Sequence, residues 1–293
     1  MSVFISKLQH DTFEKGEFCN EQIRSLPDTL ALIKSFPWDA ERNLTDIRLT
    51  DPSVTIQNEE GNFLKVAIYF NSKFCIYYLR GDAVYEYAVP DMELACAEVT
   101  DFYNNVLNTD KYSRDLFKIG ARGHFETKTF EYQIKFWRVL KLNIALLVVS
   151  FTFLACDVAV MRGLEEFPVA MVFVLLSSLF FILVGKIFYS AIDNRYSYLK
   201  ISKGNNTFLF GYSTDTIKTY DKSNVTEIIS YESRGSRNPN LIEVYEICFT
   251  DGSTIKFSNM LISGFDLFSK FSDKMDNLDV KVTHGKKGIF KAL

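Results

Sequence analysis

Two apolar runs decide the fold: LNIALLVVSFTFLACDVAVM at residues 142–161, and PVAMVFVLLSSLFFILVGKIFYS at residues 168–190. Each run is about 20 residues long and contains one charge, Asp157 in the first and Lys186 in the second. A helix of that length crosses a hydrocarbon core of about 30 Å at a rise of about 1.5 Å per residue. Buried helices of soluble proteins rarely run this long with a single charge. The sequence therefore predicts two transmembrane helices.

The six residues between the runs, RGLEEF at 162–167, predict a hairpin of antiparallel helices. Gly163 permits the bend, and Pro168 suits the first turn of the second helix. Basic residues lie before the first run and after the second run: Lys128, Lys135, Arg138, Lys141, Arg195, Lys200 and Lys203. Because basic flanks stay in the cytoplasm, both termini are expected there. An interfacial aromatic belt is expected from Trp137, Tyr189, Tyr196 and Tyr198.

The two charges within the runs have two interpretations. An ionisable residue inside a membrane often marks an ion or proton pathway. Asp157 lies about one turn from the outer end of its helix and Lys186 about one turn from the inner end of the other. They would be separated by roughly 20 Å in a hairpin, so each is expected to extend to its own interface. Ser177 and Ser178 are the polar candidates at the midplane, and such residues commonly assist helix packing.

Composition limits the remaining function classes. The chain has 293 residues, 47% hydrophobic and 24% charged, which indicates that most of it lies in water. A net charge of -3 gives no reason to expect a nucleic-acid partner. The N-terminus lacks the continuous apolar segment of a secretory signal. The five cysteines are scattered without paired spacing, which predicts reduced thiols: Cys19, Cys75, Cys96, Cys156 and Cys248.

Residues 1–135 are expected to form a cytosolic α+β domain similar to small bacterial binding domains. Residues 20–36 have roughly helical spacing, but Pro27 predicts that the helix begins only there. Asp91 is the expected N-cap of a second helix. Turn residues separate four β-rich runs, at 54–57, 63–70, 74–80 and 84–89, and residues 124–134 alternate again.

Residues 136–195 are the expected hairpin, and residues 196–293 form a series of short strands and one helix. Strands are predicted at 196–203, 207–212, 216–220, 225–232, 242–250 and 254–258. Asp251-Gly252 is a two-residue hairpin signal. Residues 263–276 have helical spacing of apolar residues. The overall prediction is α+β, with a small C-terminal β-barrel capped by a helix.

The strand series, VTEIISYES, EICFTDGSTIKFS and the final helix resemble bacterial pleckstrin-homology-like (PH-like) domains that follow two transmembrane helices. The resemblance implies a membrane-proximal interaction or assembly module and leaves its ligand open. Arg234 and Arg237, in SRGSRNPN, are candidates for contact with an anion or a lipid headgroup. The alternative is a solvated hairpin tip, because phosphate sites usually gather more basic groups.

No catalytic or metal-binding motif is present in the sequence, and His10, His124 and His284 lie far apart along the chain. The expectation is therefore no catalytic residue, no metal and no cofactor. The predicted function is a non-catalytic binding protein anchored in the bacterial inner membrane, which recognises a protein partner, with an immunity or defence role as the candidate. The alternative is an oligomeric membrane-active component, such as a channel or transporter subunit.

Overall fold

The computed structural model describes residues 3–42, 49–115, 120–134, 136–162, 167–193, 195–231, 243–271 and 281–285. The chain divides into two compact units. The first comprises Met1–Thr129 with Ser202–Asn205, and the second comprises Phe130–Ile201 with Asn206–Leu293. The secondary structure is mixed, which confirms the predicted α+β class at this level.

The first unit is built on a seven-stranded antiparallel sheet with the strand order β2-β1-β3-β4-β5-β6-β7. Its strands are β1 (Val3–Gln9), β2 (Cys19–Ser25), β3 (Ser53–Gln57), β4 (Phe63–Ile68), β5 (Phe74–Arg80), β6 (Ala83–Val89) and β7 (Ser113–Asp115). Its helices are α1 (Leu26–Ser35), α2 (Trp38–Arg42) and α3 (Met92–Tyr103).

Local capping sets the helix starts in this unit. The Ser25 side chain accepts a hydrogen bond from the Asp28 amide at the start of α1, and Pro27 lies in the first turn. The Asp91 side chain accepts from the Leu94 amide at the start of α3, as predicted. Residues 19–25 look partly helical in sequence, yet they form β2, because they pair with β1 along its edge.

Both faces of this sheet are covered. Leu64, Val66 and Ile68 of β4 join the core beneath α1 and α3. Phe63 and Ala67 of the same strand point to the other face and pack with Leu49, Ala121 and Phe125. A strand buried on both faces has a nearly continuous apolar sequence, which explains why FLKVAI shows no clean alternation.

The second face also holds a fully buried lysine, Lys65. Its Nζ donates to Gln9 Oε1 at 2.9 Å and to the backbone oxygens of Leu49 and His124 at 2.8 Å each. Burial is the main cause that lowers the pKa of Lys65 to about 7, and the nearby Lys7 adds to the effect. The ammonium group thus joins β1 to the two segments that cover this face.

Replacing Lys65 should change how the free energy of unfolding depends on pH. The folded pKa of about 7 lies below the ordinary value of 10.5, so the unfolded chain binds more protons between these pH values. The stability of the wild type relative to Lys65→Met should therefore rise with pH above about 7, with a slope of at most about 1.4 kcal/mol per pH unit.

Chemical denaturation at a series of pH values would measure this difference. All other titratable groups are common to the two proteins, so the difference reports Lys65 together with its coupling to Lys7. Lys73→Met, at an exposed position, is the matched control for the loss of one lysine. Parallel pH profiles for the wild type and Lys65→Met would contradict the prediction.

The second unit contains two four-stranded sheets. One has the order β11-β10-β9-β8, and the other has the order β14-β13-β12-β15. The strands are β8 (Glu131–Gln133), β9 (Tyr198–Lys200), β10 (Thr207–Gly211), β11 (Lys218–Asp221), β12 (Val225–Tyr231), β13 (Val244–Phe249), β14 (Thr254–Ser258) and β15 (Lys281–Gly285). The helices are α4 (Phe136–Arg162), α5 (Phe167–Asp193) and α6 (Gly264–Ser269).

The predicted strands of residues 196–258 are present with shifted ends. β13 and β14 pair as an antiparallel hairpin around Asp251-Gly252, where Gly252 adopts a φ of +79°. Ser263 caps α6 by accepting a hydrogen bond from the Asp266 amide. The structure describes open sheets in this unit, and the closed barrel stays a prediction. Residues 272–276 of the predicted final helix lie outside the described residues.

Strand β8 differs most from the sequence-based division. It precedes α4, yet it pairs with β9 after α5, with Glu131 opposite Lys200 and Gln133 opposite Tyr198. The sequence expectation assigned residues 131–133 to the first domain, because the strand lies on the N-terminal side of the apolar runs. Its long-range partner instead makes it the edge strand of the second unit.

Candidate functional site

Helices α4 and α5, each 27 residues long, pack against each other. Ser150 and Ser177 are buried between them, and Ser177 Oγ donates to the backbone oxygen of Ser150 at 3.2 Å. The rings of Phe153 and Phe180 stack with centroids 5.7 Å apart. Small residues permit this close approach of two helices, as was expected for Ser177. Ser178 is exposed and donates to the Leu175 oxygen of its own helix.

Large apolar side chains cover the outer surface of this helix pair. Val148 is 59% exposed, Phe151 57%, Leu175 64% and Ile182 55%. Soluble monomers rarely expose apolar patches larger than a few hundred Å². By length and composition, Val139–Cys156 is the one span within the described residues that could cross a membrane, and Met171–Ile182 is a shorter apolar stretch.

The two predicted intramembrane charges lie on different helices, Asp157 on α4 and Lys186 on α5. Their side chains lie outside what the structure describes, so their roles stay predictions. Near the first residues of α4 and the last residues of α5, the side chains of Trp137, Tyr189 and Tyr196 are exposed. This exposure is compatible with the expected aromatic belt.

The sheet end of the helix pair is part of a hydrophobic cluster, here called the base cluster. Val139 of α4 and Ala191 of α5 are buried against the second sheet. The sheet side supplies Tyr231 of β12, Val244 of β13 and Met260. Leu146, Phe188, Ile134 and Ile229 pack around them. The helix pair and the second sheet therefore share one core, which periodicity along the chain could not indicate.

Polar groups lie beside the base cluster on the same sheet. Tyr231 Oη donates to Glu246 Oε2 at 2.6 Å, and this carboxylate raises the pKa of Tyr231 to about 12. Lys256 Nζ lies 3.5 Å from Glu246 Oε1, on the neighbouring strand β14. Glu246 is buried, so both contacts compensate for its loss of water.

The other predicted site residues are distributed as follows. Arg234 and Arg237 fall in residues 232–242, outside the described chain. His124 Nδ1 lies 2.7 Å from Thr50 Oγ1, and His284 lies in β15 opposite Ser230. Within the described ranges, no group of three or more His, Cys, Asp or Glu residues is arranged to hold a metal ion.

His10 has a partner that its position in the sequence did not suggest. Its Nδ1 lies 2.5 Å from Glu41 Oε1. His10 directly follows β1, and Glu41 lies in α2. His10 and Glu41 are 31 residues apart in sequence, so their contact depends on the position of α2 relative to β1. Nothing in the sequence around His10 indicated that Glu41 lies within hydrogen-bonding distance of it.

Comparison with known proteins bears on the second unit. A family model described as PH domain matches residues 131–270, which is just under half of the chain. This match confirms the PH-like part of the sequence interpretation. It begins at the first residue of β8, so α4 and α5 lie inside the matched region. No curated protein and no solved structure matches the chain.

A pair of neighbouring residues tests whether the base cluster supports the second unit. Ala191 is 7% exposed, whereas Ile192 is 58% exposed on the same helix. Ala191→Glu would bury an unpaired carboxyl group among apolar side chains and should lower the free energy of unfolding by about 3 kcal/mol or more. The control Ile192→Glu should cost less than about 1 kcal/mol.

Chemical denaturation of the full chain in detergent micelles would measure both changes. Equal losses in the two variants would show that the buried contact of Ala191 with the sheet is not what stabilises the second unit.

Proposed function

We propose that the protein is a membrane-anchored, non-catalytic binding protein whose parts outside the helix pair recognise a protein partner. The observation that carries the binding role is the PH domain match at residues 131–270. PH domains suggest a binding module. Because the matched region includes the helix pair, the anchor and the binding module would be parts of one unit.

The proposed anchor is the helix pair α4–α5. Its exposed valine, leucine, isoleucine and phenylalanine side chains would be unfavourable in water, at about 25 cal/mol per Å² of apolar surface. A bilayer removes that cost, and both helices satisfy their backbone hydrogen bonds internally. The basic flanks favour the orientation in which both termini lie in the cytoplasm of a bacterial cell, with the turn RGLEEF at 162–167 on the other side of the inner membrane.

Recognition of a protein would then occur at the membrane surface. Anchoring raises the local concentration of a binding module near membrane-bound or membrane-crossing partners. This arrangement suits an immunity or defence role, in which the protein neutralises a toxin or joins a signalling complex. Such a role requires binding surfaces rather than catalytic groups.

The alternative is a membrane-active assembly, in which several helix pairs form a channel or a transporter component. Asp157 and Lys186 within the apolar runs favour it, because intramembrane charges often mark ion pathways. Against it, Ser150 and Ser177 are engaged within one helix pair rather than turned outward. We therefore favour the binding role.

Site-specific photo-crosslinking in cells would test the binding role. A crosslinker at Phe265, which is 86% exposed, should capture one defined protein, and the purified pair should then bind in a direct titration. The same crosslinker at the buried Tyr245 is the control and should capture nothing. Crosslinks formed only between copies of this chain would contradict the proposal.

An ion-flux measurement on the purified protein in liposomes separates the two candidates. The binding role predicts a leak no greater than that of protein-free liposomes. An ion leak from the wild-type protein that Asp157→Asn abolishes would overturn the binding role in favour of the membrane-active assembly.

A further inference from the structure

We propose that a buried group of polar side chains on the second face of the first unit's sheet binds a small monovalent anion, chloride being the abundant one. This group, here called the polar row, consists of Lys7, Thr55 and Lys65 with Ser53 beside them. The site lies within the first unit and is independent of the binding role proposed above.

The strand register assembles the polar row. Thr55 of β3 lies opposite Lys7 of β1 on one side and opposite Lys65 of β4 on the other. Residues directly opposite each other share a face of the sheet, with their Cβ atoms about 4.5–5.5 Å apart. Val54 and Ile56, the neighbours of Thr55 in β3, belong to the core beneath α1 and α3, so Thr55 faces the other side. One hydroxyl group therefore lies between two lysine side chains.

A second row of short side chains lies beside the first. Ser53, two residues before Thr55 and on the same face, is opposite Gln9 of β1 and Ala67 of β4. Lys65 Nζ donates to Gln9 Oε1 at 2.9 Å, so the lysine side chain crosses β3, which separates these two strands. A ligand between the lysine side chain and the short side chains of β3 would have to be small.

The two hydroxyl groups are the observation that points to a ligand. Ser53 and Thr55 are completely buried, and within the described part of the chain neither Ser53 Oγ nor Thr55 Oγ1 has a hydrogen-bonding partner. Buried hydroxyl groups in proteins nearly always have a partner in the protein, in ordered water or in a ligand. Residues two apart on a strand are separated by about 6.6 Å. One acceptor midway between them is therefore within reach of both hydroxyl groups.

The two lysines supply the positive charge. Lys7 is 2% exposed, and its Nζ donates to Thr127 Oγ1 at 2.9 Å. The ring centroid of Phe18 lies 4.3 Å from Lys7 Nζ and 5.5 Å from Lys65 Nζ, so both ammonium groups approach one ring. Burial is the main cause that lowers the pKa of Lys7, and the charge of Lys7 contributes to lowering that of Lys65. An anion between them would stabilise both charges.

The acidic groups around the polar row do not take the place of this anion. Glu21 and Glu126 stabilise the charged form of Lys7, and Asp51 that of Lys65. Thr127 Oγ1 donates to Glu21 Oε2 at 2.7 Å, which directs this carboxylate to the threonine. Among the described residues, none of these carboxylates accepts from the two buried hydroxyl groups. Hydroxyl and ammonium groups can all donate, so the site suits an acceptor with negative charge.

The test is urea unfolding of the full chain in nonionic detergent micelles, with sodium chloride compared with sodium gluconate at equal ionic strength. A pH of about 6 keeps Lys65 cationic, and urea avoids the chloride of guanidinium chloride. Trp137→Phe in every sample leaves Trp38 of the first unit as the fluorescent reporter. Chloride should raise the ratio of folded to unfolded protein about elevenfold at roughly ten times its dissociation constant, and then continue to saturate its site. Gluconate is too large for the buried site and should have no such effect.

Variants separate an anion from the alternatives. The double change Ser53→Ala and Thr55→Val removes both hydroxyl groups at nearly constant size and should abolish the chloride dependence. Thr12→Val, at an exposed threonine of the same unit, is the matched control and should retain it. Chlorine-35 NMR gives a direct readout: the wild type should broaden the chloride resonance more than the double variant does.

A wild-type protein that is equally stable in chloride and gluconate would overturn the proposal, and this comparison requires no variant. A double variant that differs from the wild type by the same amount in both salts would overturn it as well. A gain in stability there would indicate hydroxyl groups that are simply unpaired, and a loss would indicate a bound water molecule.

Discussion

A helix pair can be inserted between two adjacent strands of a sheet only if its two ends return to positions one strand spacing apart. That spacing is about 4.8 Å, whereas packed helix axes lie about 8–10 Å apart. The pairing of β8 with β9 meets this constraint across α4 and α5, and Lys200 Nζ lies 3.2 Å from Glu131 Oε1 on these two strands. The base cluster then fills the space between the helix ends and the second sheet. The helix pair is thus an insertion within the PH-like unit rather than a tether in front of it.

The first unit follows a different organisation. Its sheet is buried on both faces, one by α-helices and the other by the segment at Leu49 and the short 3-10 helix Ala121–His124. Both segments carry backbone carbonyl groups that require donors when they are buried. Lys65 supplies those donors to Leu49 and His124 from the middle of β4. The segments that cover this face therefore need a donor such as Lys65 beneath them. This need explains why a charged residue occurs within an otherwise apolar strand.

Local signals predicted the local structure well. Pro27, Asp91 and Asp251-Gly252 each indicated the helix start or hairpin that the structure contains. Features that depend on distant pairings could not be predicted in this way. Residues 19–25 form a strand because β1 lies beside them, and β8 belongs to the second unit because of a partner more than 60 residues away. The contact between His10 and Glu41 joins residues 31 positions apart, so spacing along the chain did not indicate it.

The central proposal is that the helix pair crosses a membrane while the first unit and the sheets of the second unit lie on its cytoplasmic side. Fusion of alkaline phosphatase, which is active only outside the bacterial cytoplasm, measures this directly. A fusion in the turn after Glu165 should be active, and a fusion after the C-terminal Leu293 should be inactive. Inactivity at both positions in stably expressed fusions would contradict the crossing, and activity only at the C-terminus would contradict the orientation.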